Sequence, residues 1–309
     1  MKLKIGSRGS KLALAQVDII INLLKNTSTG LEFEKRIIKT RGDKIKDTPL
    51  AKIGGKGLFV KEIDEAVLRS DVDFAVHSAK DVPTDLLDGL KIACIPEREE
   101  INDVLISKNR LMLDELPNGA VIGTSSLRRR AELLNYRSDL RTENIRGNVD
   151  TRIRKVMDGE FDATIMAKAG LKRLGFTEEI TETLSTQVFL PSVGQGAIAV
   201  VSRSDFTALD LLFKINHRES LASIKAEREM LKSLGGGCQV PIGVVSSVDG
   251  TRLTLKAVVL SPDGKQKIST NVEGHIEKAQ EIGKKAASML LDGGADVILK
   301  DVYGQSPGI

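Results

Sequence analysis

Aromatic side chains are scarce in this 309-residue sequence: they make up 3% of it, and tryptophan is absent. Proteins that bind single-stranded nucleic acid stack bases on aromatic side chains, so the composition argues against that class. Apolar runs are also short, and none approaches the roughly 18 residues of a membrane-spanning helix. The first residues lack the apolar core of a signal peptide. We therefore expect no membrane or nucleic-acid partner and a cytoplasmic location.

Cysteine and histidine are also rare, with two cysteines, Cys94 and Cys238, and three histidines. One possible disulfide in a chain of this length is weak support for an oxidising compartment. No histidine stands at a ligand spacing from a cysteine, so we expect no metal site.

Arginine is abundant in one segment, although the net charge of the whole chain is only +4. Planar guanidinium groups hold carboxylates in bidentate pairs, so the segment favours a small polyanionic substrate over nucleic acid. Its basic residues are Arg128, Arg129, Arg130, Arg137, Arg141, Arg146, Arg152, Arg154, Lys155, Lys172 and Arg173.

Two turns between a strand and a helix have the same layout. The first ends at Ser10, a natural helix N-cap, and the second contains Thr124, Ser125 and Ser126 before a helix that starts with arginines. Helix N-termini bind anions, although a plain turn without a ligand is an equally open interpretation. Arginines in a first turn oppose the helix dipole unless an anion is present, which favours an anionic ligand in a cleft between two lobes.

A predicted strand, residues 74–77, leads to Lys80 and Asp81. Val82 precedes a proline and should be extended, so we expect these two side chains on a loop at the mouth of the first sheet. A solvated pair is the ordinary interpretation, and the position makes both residues catalytic candidates. His77 is expected to belong to the packing of the strand. The glycine-rich residues 52–57 predict either a mobile lid or a solvent loop.

Strands and helices alternate through most of the chain, which predicts an α/β protein with parallel or mixed sheets. We expect strands at 92–96 and, returning to the first lobe, within 188–201. From residue 217 the pattern becomes one helix, three strands and one helix. The predicted domains are 1–98 with 194–215, then 99–193, and a smaller α+β domain at 216–309.

The turn from Gly235 to Gly243 holds three glycines and Cys238. In one interpretation Gly235 ends the preceding helix and the other glycines turn the chain. In the other, the bare backbone lets a bulky group lie against the Cys238 sulfur, which becomes a nucleophile or an attachment point. The turn alone leaves both interpretations open.

Five separated stretches together resemble one family, the porphobilinogen deaminases, also called hydroxymethylbilane synthases. The resemblance spans essentially the whole chain. One departure is Ala79, where relatives usually carry a larger apolar residue. The five stretches are IGSRGSKLALA from residue 5, HSAKDVP from 77, GTSSLRRRA from 123, NIRGNVDTR from 144 and GGGCQVPIG from 235.

The resemblance implies a transferase of tetrapyrrole biosynthesis. Such an enzyme joins four porphobilinogen molecules head to tail into linear hydroxymethylbilane and releases ammonia at each step. It further implies two lobes similar to type II periplasmic binding proteins and a dipyrromethane cofactor held as a thioether by the matching Cys238. We expect a monomer.

The resemblance also implies the site residues. Asp81 is the expected catalytic residue, as a stabiliser of the cation left when ammonia departs, as a proton shuttle, or as both. Arg130, which follows the expected ligand-binding residues Arg128 and Arg129 on the same helix, is expected on the solvated side. Cofactor-binding residues are Cys238, Lys80, Asp81, Ser10, Thr124, Ser125, Ser126, Arg128, Arg129, Arg146 and Gln195. Substrate-binding residues are Arg8, Arg146, Arg152 and Arg173.

Two other functions remain as alternatives. A periplasmic-type oxyanion-binding or ligand-sensing protein would use the same lobes and anion turns, but it leaves the third module and its cysteine unexplained. DNA binding through the arginine-bearing helix is the other, and a steep salt dependence of affinity would support it.

Overall fold

The computed structural model describes residues 1–44, 57–235 and 240–304. Within these residues the strands form three separate sheets. In chain order the strands are β1 (Lys2–Ser7), β2 (Glu32–Ile37), β3 (Phe74–Ser78), β4 (Leu90–Cys94), β5 (Asp103–Ser107), β6 (Val121–Gly123), β7 (Arg141–Glu143), β8 (Ala163–Ala167), β9 (Glu182–Thr183), β10 (Ile198–Arg203), β11 (Ile242–Asp249), β12 (Arg252–Leu260) and β13 (Lys267–His275).

The helices cover the faces of these sheets, and their buried residues recur at the three- and four-residue spacing of one helix face. None of the helices in the described part of the chain is both long enough and apolar enough to cross a bilayer. They are α1 (Lys11–Thr27), α2 (Arg41–Lys44), α3 (Lys61–Leu68), α4 (Leu127–Tyr136), α5 (Val149–Met157), α6 (Lys168–Leu174), α7 (Leu209–Phe213), α8 (Arg218–Ser233), α9 (Ala279–Asp292) and α10 (Ala295–Gly304).

The first two sheets share one topology. Their strand orders are β2-β1-β3-β10-β4 and β7-β6-β8-β5-β9. In each sheet the three strands listed first are parallel and the fourth is antiparallel to both neighbours. In each sheet the chain enters this fourth strand, β10 or β5, from the other lobe. Two crossing segments therefore connect the lobes: the connection from β4 to β5 and the connection from β9 to β10.

The two crossing segments lie side by side. The Glu99 amide donates to the Gly196 carbonyl over 3.3 Å. Gly196 has φ +84°, and a Cβ at this position would lie 2.4 Å from the Glu99 carbonyl oxygen. Only glycine fits such a contact in this backbone conformation, so the close approach of the segments depends on it.

The third sheet, β11-β12-β13, is antiparallel. Helices α8 and α9 pack with it around one apolar core, which includes Met230, Leu255 and Leu290. Helix α8 ends at Ser233 with Leu234 as its C-cap, and the next residue, Gly235, has a φ of +68°, the left-handed conformation of a C′ glycine. The helix-ending role predicted for Gly235 is therefore confirmed, whereas Cys238 lies outside the described residues, as does most of the glycine-rich segment 52–57.

The predicted α/β class, with two mixed sheets and a smaller α+β module, is confirmed, and several element boundaries were wrong. The strand expected at 92–96 is β4, two residues earlier, and the return strand begins only at Ile198. Strand β2 was not predicted, because its side chains are mostly exposed and charged at the sheet edge. The predicted domain boundaries stay a prediction.

Cys94 lies in β4 and has 0% of its surface exposed. It packs in the apolar core of the first lobe, and burial raises the pKa of its thiol to about 12. A thiol in this state is a small inert hydrophobe.

We predict that Cys94→Ser lowers the free energy of unfolding by about 1 to 2 kcal/mol, because it buries a hydroxyl. Catalytic activity should be unchanged below the unfolding transition. Denaturant titration and steady-state rates measure the two effects. A stable variant without activity would contradict the structural role of Cys94.

Candidate active site

Asp81 lies at the end of a short helical turn after β3. The turn is a 3-10 helix, Ala79–Asp81, where we predicted an irregular loop. The chain is helical here because the Val82 amide closes the turn by donating to the Ala79 carbonyl over 3.3 Å. The predicted extended conformation of Val82 is confirmed, with φ −79° and ψ 121°.

One cavity brings Asp81 together with Arg8 and Ser10. Ser10 caps α1, since its hydroxyl accepts the Ala13 amide over 3.2 Å. The Arg8 guanidinium donates to Asp43 over 2.6 and 3.1 Å and lies 4.4 Å from the centre of the Phe59 ring. The Arg8 guanidinium, the Ser10 hydroxyl that caps α1 and the Asp81 carboxylate therefore line the same small cavity.

The second lobe contributes Thr124, Ser125 and Ser126, which line another cavity at the start of α4. Ser126 is the N-cap and accepts the Arg129 amide over 3.4 Å. The Ser125 hydroxyl donates to the Ile145 carbonyl over 2.8 Å. The predicted cap is confirmed, and Arg130 is exposed, as expected for the solvated side.

The two lobes are in contact beside these turns. The Lys11 ammonium at the start of α1 lies 3.0 Å from the Asp150 carboxylate at the start of α5. Both groups are substantially exposed, so the ion pair contributes little to stability, but it shows that the N-termini of α1 and α5 face each other.

A buried ion cluster forms around Asp103, which sequence reasoning did not identify. Asp103 is 1% exposed and accepts hydrogen bonds from Arg128, Arg129 and Gln195 over 2.7, 2.7 and 2.8 Å. Burial alone would raise the pKa of the Asp103 carboxyl. The two guanidinium groups outweigh this effect and hold that pKa far below its usual range. Arginines of the second lobe are thus fixed to the segment that crosses between the lobes.

Glu132 extends the cluster on the same helix. It accepts from Arg128 over 2.7 Å and from the Leu190 amide over 2.8 Å. Burial raises the pKa of the Glu132 carboxyl to about 7, partly offset by the charge of Arg128. The sequence carried a signal for this pair, because Arg128 and Glu132 are four residues apart on one helix face. No such sequence signal pointed to Asp103, since its partners are distant in sequence.

Lys80 lies near the same cluster and is half-buried. Loss of water around the ammonium and the charges of Arg129 and Arg128 together lower the pKa of Lys80 to about 8, against the opposite effect of Asp81 and Asp103. The predicted pair of Lys80 and Asp81 therefore borders the buried ions of the second lobe.

Arg146 and Arg152 form a second group of cations with Arg129. Burial, together with the charges of Arg129 and Arg146, lowers the pKa of Arg152 to about 10. The Arg152 Nε donates to the Gly147 carbonyl over 2.9 Å. Arg173 is held apart from them, because it donates to the Gly196 carbonyl over 2.6 Å at the crossing segments.

Three buried guanidinium nitrogens have no hydrogen-bond partner among the residues that the structure describes. They are Nε of Arg128, Nε of Arg129 and Nη2 of Arg146. Buried donors of this kind are normally paired, so the arrangement fits a ligand with several carboxylates. His77, by contrast, is buried against Asp64 at 3.1 Å, in agreement with its expected packing role. Across the described ranges, no group of three or more metal-ligating side chains occurs.

Two family profiles match the chain. The profile described as "Porphobilinogen deaminase, dipyromethane cofactor binding domain" matches residues 3–210, and "Porphobilinogen deaminase, C-terminal domain" matches residues 221–292. The chain belongs to the porphobilinogen deaminase family. Its members are transferases of tetrapyrrole biosynthesis that act on porphobilinogen and bind a dipyrromethane cofactor, so the predicted enzyme class is confirmed.

Relatives of the same name cover nearly the full length. The porphobilinogen deaminase of Pelotomaculum thermopropionicum is 48% identical, over 97% of this chain and 96% of its own. That of Brevibacillus brevis is 46% identical over 99% of both chains. The probable porphobilinogen deaminase of Methanothermobacter thermautotrophicus is 47% identical, over 93% of this chain and 98% of its own.

Solved structures give a distant likeness of fold. The methionine-binding protein MetQ is 13% identical with a TM-score of 0.43, over 74% of this chain and 91% of that one. The VFT2 domain of Bordetella pertussis BvgS is 15% identical with a TM-score of 0.42, over 73% of this chain and 93% of that one.

We predict that Lys80 loses its proton near pH 8 in Cys238→Ser protein without cofactor, well below ordinary surface lysines. Because the folded-state pKa is lowered, the ammonium is fully charged only below this pH, and attraction for carboxylates weakens as the pH rises through it. Side-chain NMR titration measures this, with Lys80→Arg to assign the resonance. Exposed Lys232 is the internal control, and equal titration of the two lysines would contradict the prediction.

Proposed function

We propose that this enzyme condenses four porphobilinogen molecules head to tail into linear hydroxymethylbilane, with release of one ammonia at each step. The observation that carries the proposal is the carboxylate of Asp81 in a cavity with Arg8 and Ser10, beside a set of buried arginines. We propose further that it acts as a monomer in the cytoplasm.

Asp81 is the proposed catalytic residue. When ammonia leaves the aminomethyl group, the C–N bonding electrons depart with it and the pyrrole becomes a cation. A carboxylate beside the ring stabilises that charge by Coulomb attraction and by accepting the pyrrole N–H. In its protonated form, the same carboxyl group gives a proton to the departing amine, and the carboxylate that results then stabilises the cation.

The arginines are the proposed binding groups for the acetate and propionate side chains of the pyrroles. Arg8, Arg146, Arg152 and Arg173 bind the substrate and the growing chain. Arg128 and Arg129 bind the cofactor; both are fixed to Asp103, and their Nε atoms have no hydrogen-bond partner among the described residues. Lys80, Ser10, Gln195 and the turn of Thr124, Ser125 and Ser126 complete that set.

Cys238 is the proposed attachment point of the dipyrromethane. Its thiol sulfur forms a C–S bond to the methylene carbon of a deaminated porphobilinogen, and the thiol proton leaves with the ammonia. The bound cofactor supplies the pyrrole α-carbon at which chain growth starts. A thioether is chemically stable, so Cys238 holds the primer through every turnover.

The mass of the purified protein tests this attachment. We expect it to exceed the sequence mass by two deaminated porphobilinogen units, and Cys238→Ser to fold but have only the sequence mass, because a serine hydroxyl is a much weaker nucleophile. Cys94→Ser is the matched control and should retain the added mass. Active protein with the bare sequence mass, or cofactor retained on Cys238→Ser, would refute the attachment.

Asp81→Asn should lower the turnover number by about 100-fold or more, since the amide keeps the shape of the side chain but loses the negative charge. Formation of hydroxymethylbilane by cofactor-loaded protein is the measurement, with circular dichroism to verify the fold. Asp43→Asn, which removes the charge of the carboxylate that binds Arg8, is the comparison, and its effect should be much smaller. Activity of Asp81→Asn within a few-fold of wild type would remove Asp81 from the mechanism.

A further inference from the structure

Arg228 of helix α8 contacts the segment that follows Asp81. The Arg228 guanidinium donates to three consecutive backbone carbonyls, at 2.9 Å to Val82, 2.5 Å to Pro83 and 3.2 Å to Thr84. The side chain is part-buried. A planar guanidinium presents its donors in a fixed arrangement, so these contacts define the position of the segment as well as holding it.

The residue before Arg228 holds the opposite side of the same turn. Glu227 is fully buried and accepts the Gly194 amide over 2.8 Å. Gly194 packs so closely on the Asp81 turn that a Cβ there would lie 3.0 Å from the Lys80 amide nitrogen. Successive residues of α8 thus reach both flanks of the turn that carries Lys80 and Asp81.

The sequence connects this contact to the function, because α8 is also the helix that precedes Cys238. The helix ends at Ser233, five residues before the cysteine. We propose that Arg228 is a positioning residue, which fixes the Asp81 carboxylate relative to the helix leading to the cofactor attachment point. This inference rests on the proposed roles of Asp81 and Cys238.

Positioning of this kind acts on the chemical step. A displacement of about 1 Å at a reacting group can cost about 100-fold in rate. Loss of the three hydrogen bonds should release the Asp81 turn on one side while Glu227 still holds the other. We therefore expect a large effect on the turnover number and a small one on the Michaelis constant.

The chain offers a matched control four residues further along α8. Lys232 forms an ion pair of 2.9 Å with Asp85, which follows the carbonyls that Arg228 binds. Their side chains are 56% and 53% exposed. Exposed pairs contribute little, so Lys232→Met removes a cation between the same two segments without releasing the turn.

The experiment compares Arg228→Met, Arg228→Lys and Lys232→Met, with rates expressed per cofactor-loaded molecule from the intact mass. We expect Arg228→Met to lower the turnover number about 10- to 100-fold with a Michaelis constant within about threefold of wild type. Arg228→Lys, which keeps a charged donor, should recover part of the rate. Hydrogen–deuterium exchange should become faster at Val82 and Thr84 in Arg228→Met only.

Two results would overturn the inference. One is a turnover number of Arg228→Met within twofold of wild type; the other is an equal loss in Lys232→Met. If Arg228→Met does not fold, an Arg228→Lys protein with wild-type rate and slow exchange at Val82 and Thr84 would be consistent with the inference, and the same rate with fast exchange would refute it. Failure of the proposed function is distinguishable, because wild-type protein would then lack the added mass or the bilane product.

Discussion

The buried carboxylate of Asp103 is the interaction on which the candidate site depends. Two guanidinium groups of the second lobe, Arg128 and Arg129, would be costly to bury without an opposite charge nearby. Asp103 supplies that charge at the start of β5, where the chain has just crossed from the first lobe, and Gln195 joins it from the returning segment. One carboxylate therefore fixes the arginines of one lobe to both connections between the lobes. Loss of it would leave buried Arg129 without its carboxylate partner and Arg128 with Glu132 alone, which is far more destabilising than loss of an exposed ion pair.

The third module joins this arrangement through a second buried pair. Arg98, on the outgoing crossing segment, donates to both carboxylate oxygens of Glu227 over 2.6 and 3.1 Å. The same Arg98 donates to the Gln195 carbonyl over 2.7 Å, so α8 is attached to both crossing segments at one point. Because the crossing segments also touch the Asp81 turn at Gly194, the geometry of the carboxylate is set jointly by the first lobe and the third module.

Much of this structure could be predicted from sequence because its signals are local. The Ser10 and Ser126 caps, the Val82 conformation and the glycine after α8 each depend on a few neighbouring residues, and all were predicted correctly. The site residues were named through family resemblance, since periodicity and spacing alone left several interpretations open. Asp103, Glu227 and Arg228 were missed for a physical reason: the partners described for them are from 19 to 146 residues away, and no local pattern reports such contacts. Strand β2 was missed because exposed edge strands lack the alternation of buried and polar residues on which prediction relies.

The cluster of Arg129, Arg146 and Arg152 shows why an anionic ligand is a structural component of such a site. Burial and mutual repulsion lower the pKa of Arg152 to about 10, which means that the ligand-free fold disfavours its charge. A carboxylate bound at this cluster would raise the pKa of Arg152 again, since an opposite charge nearby favours the charged guanidinium. Any ligand that binds the folded state alone also stabilises it by mass action. Binding of an anion at this cluster would therefore offset part of the electrostatic cost of burying Arg152, and a covalently attached polycarboxylate would do so in every folded molecule.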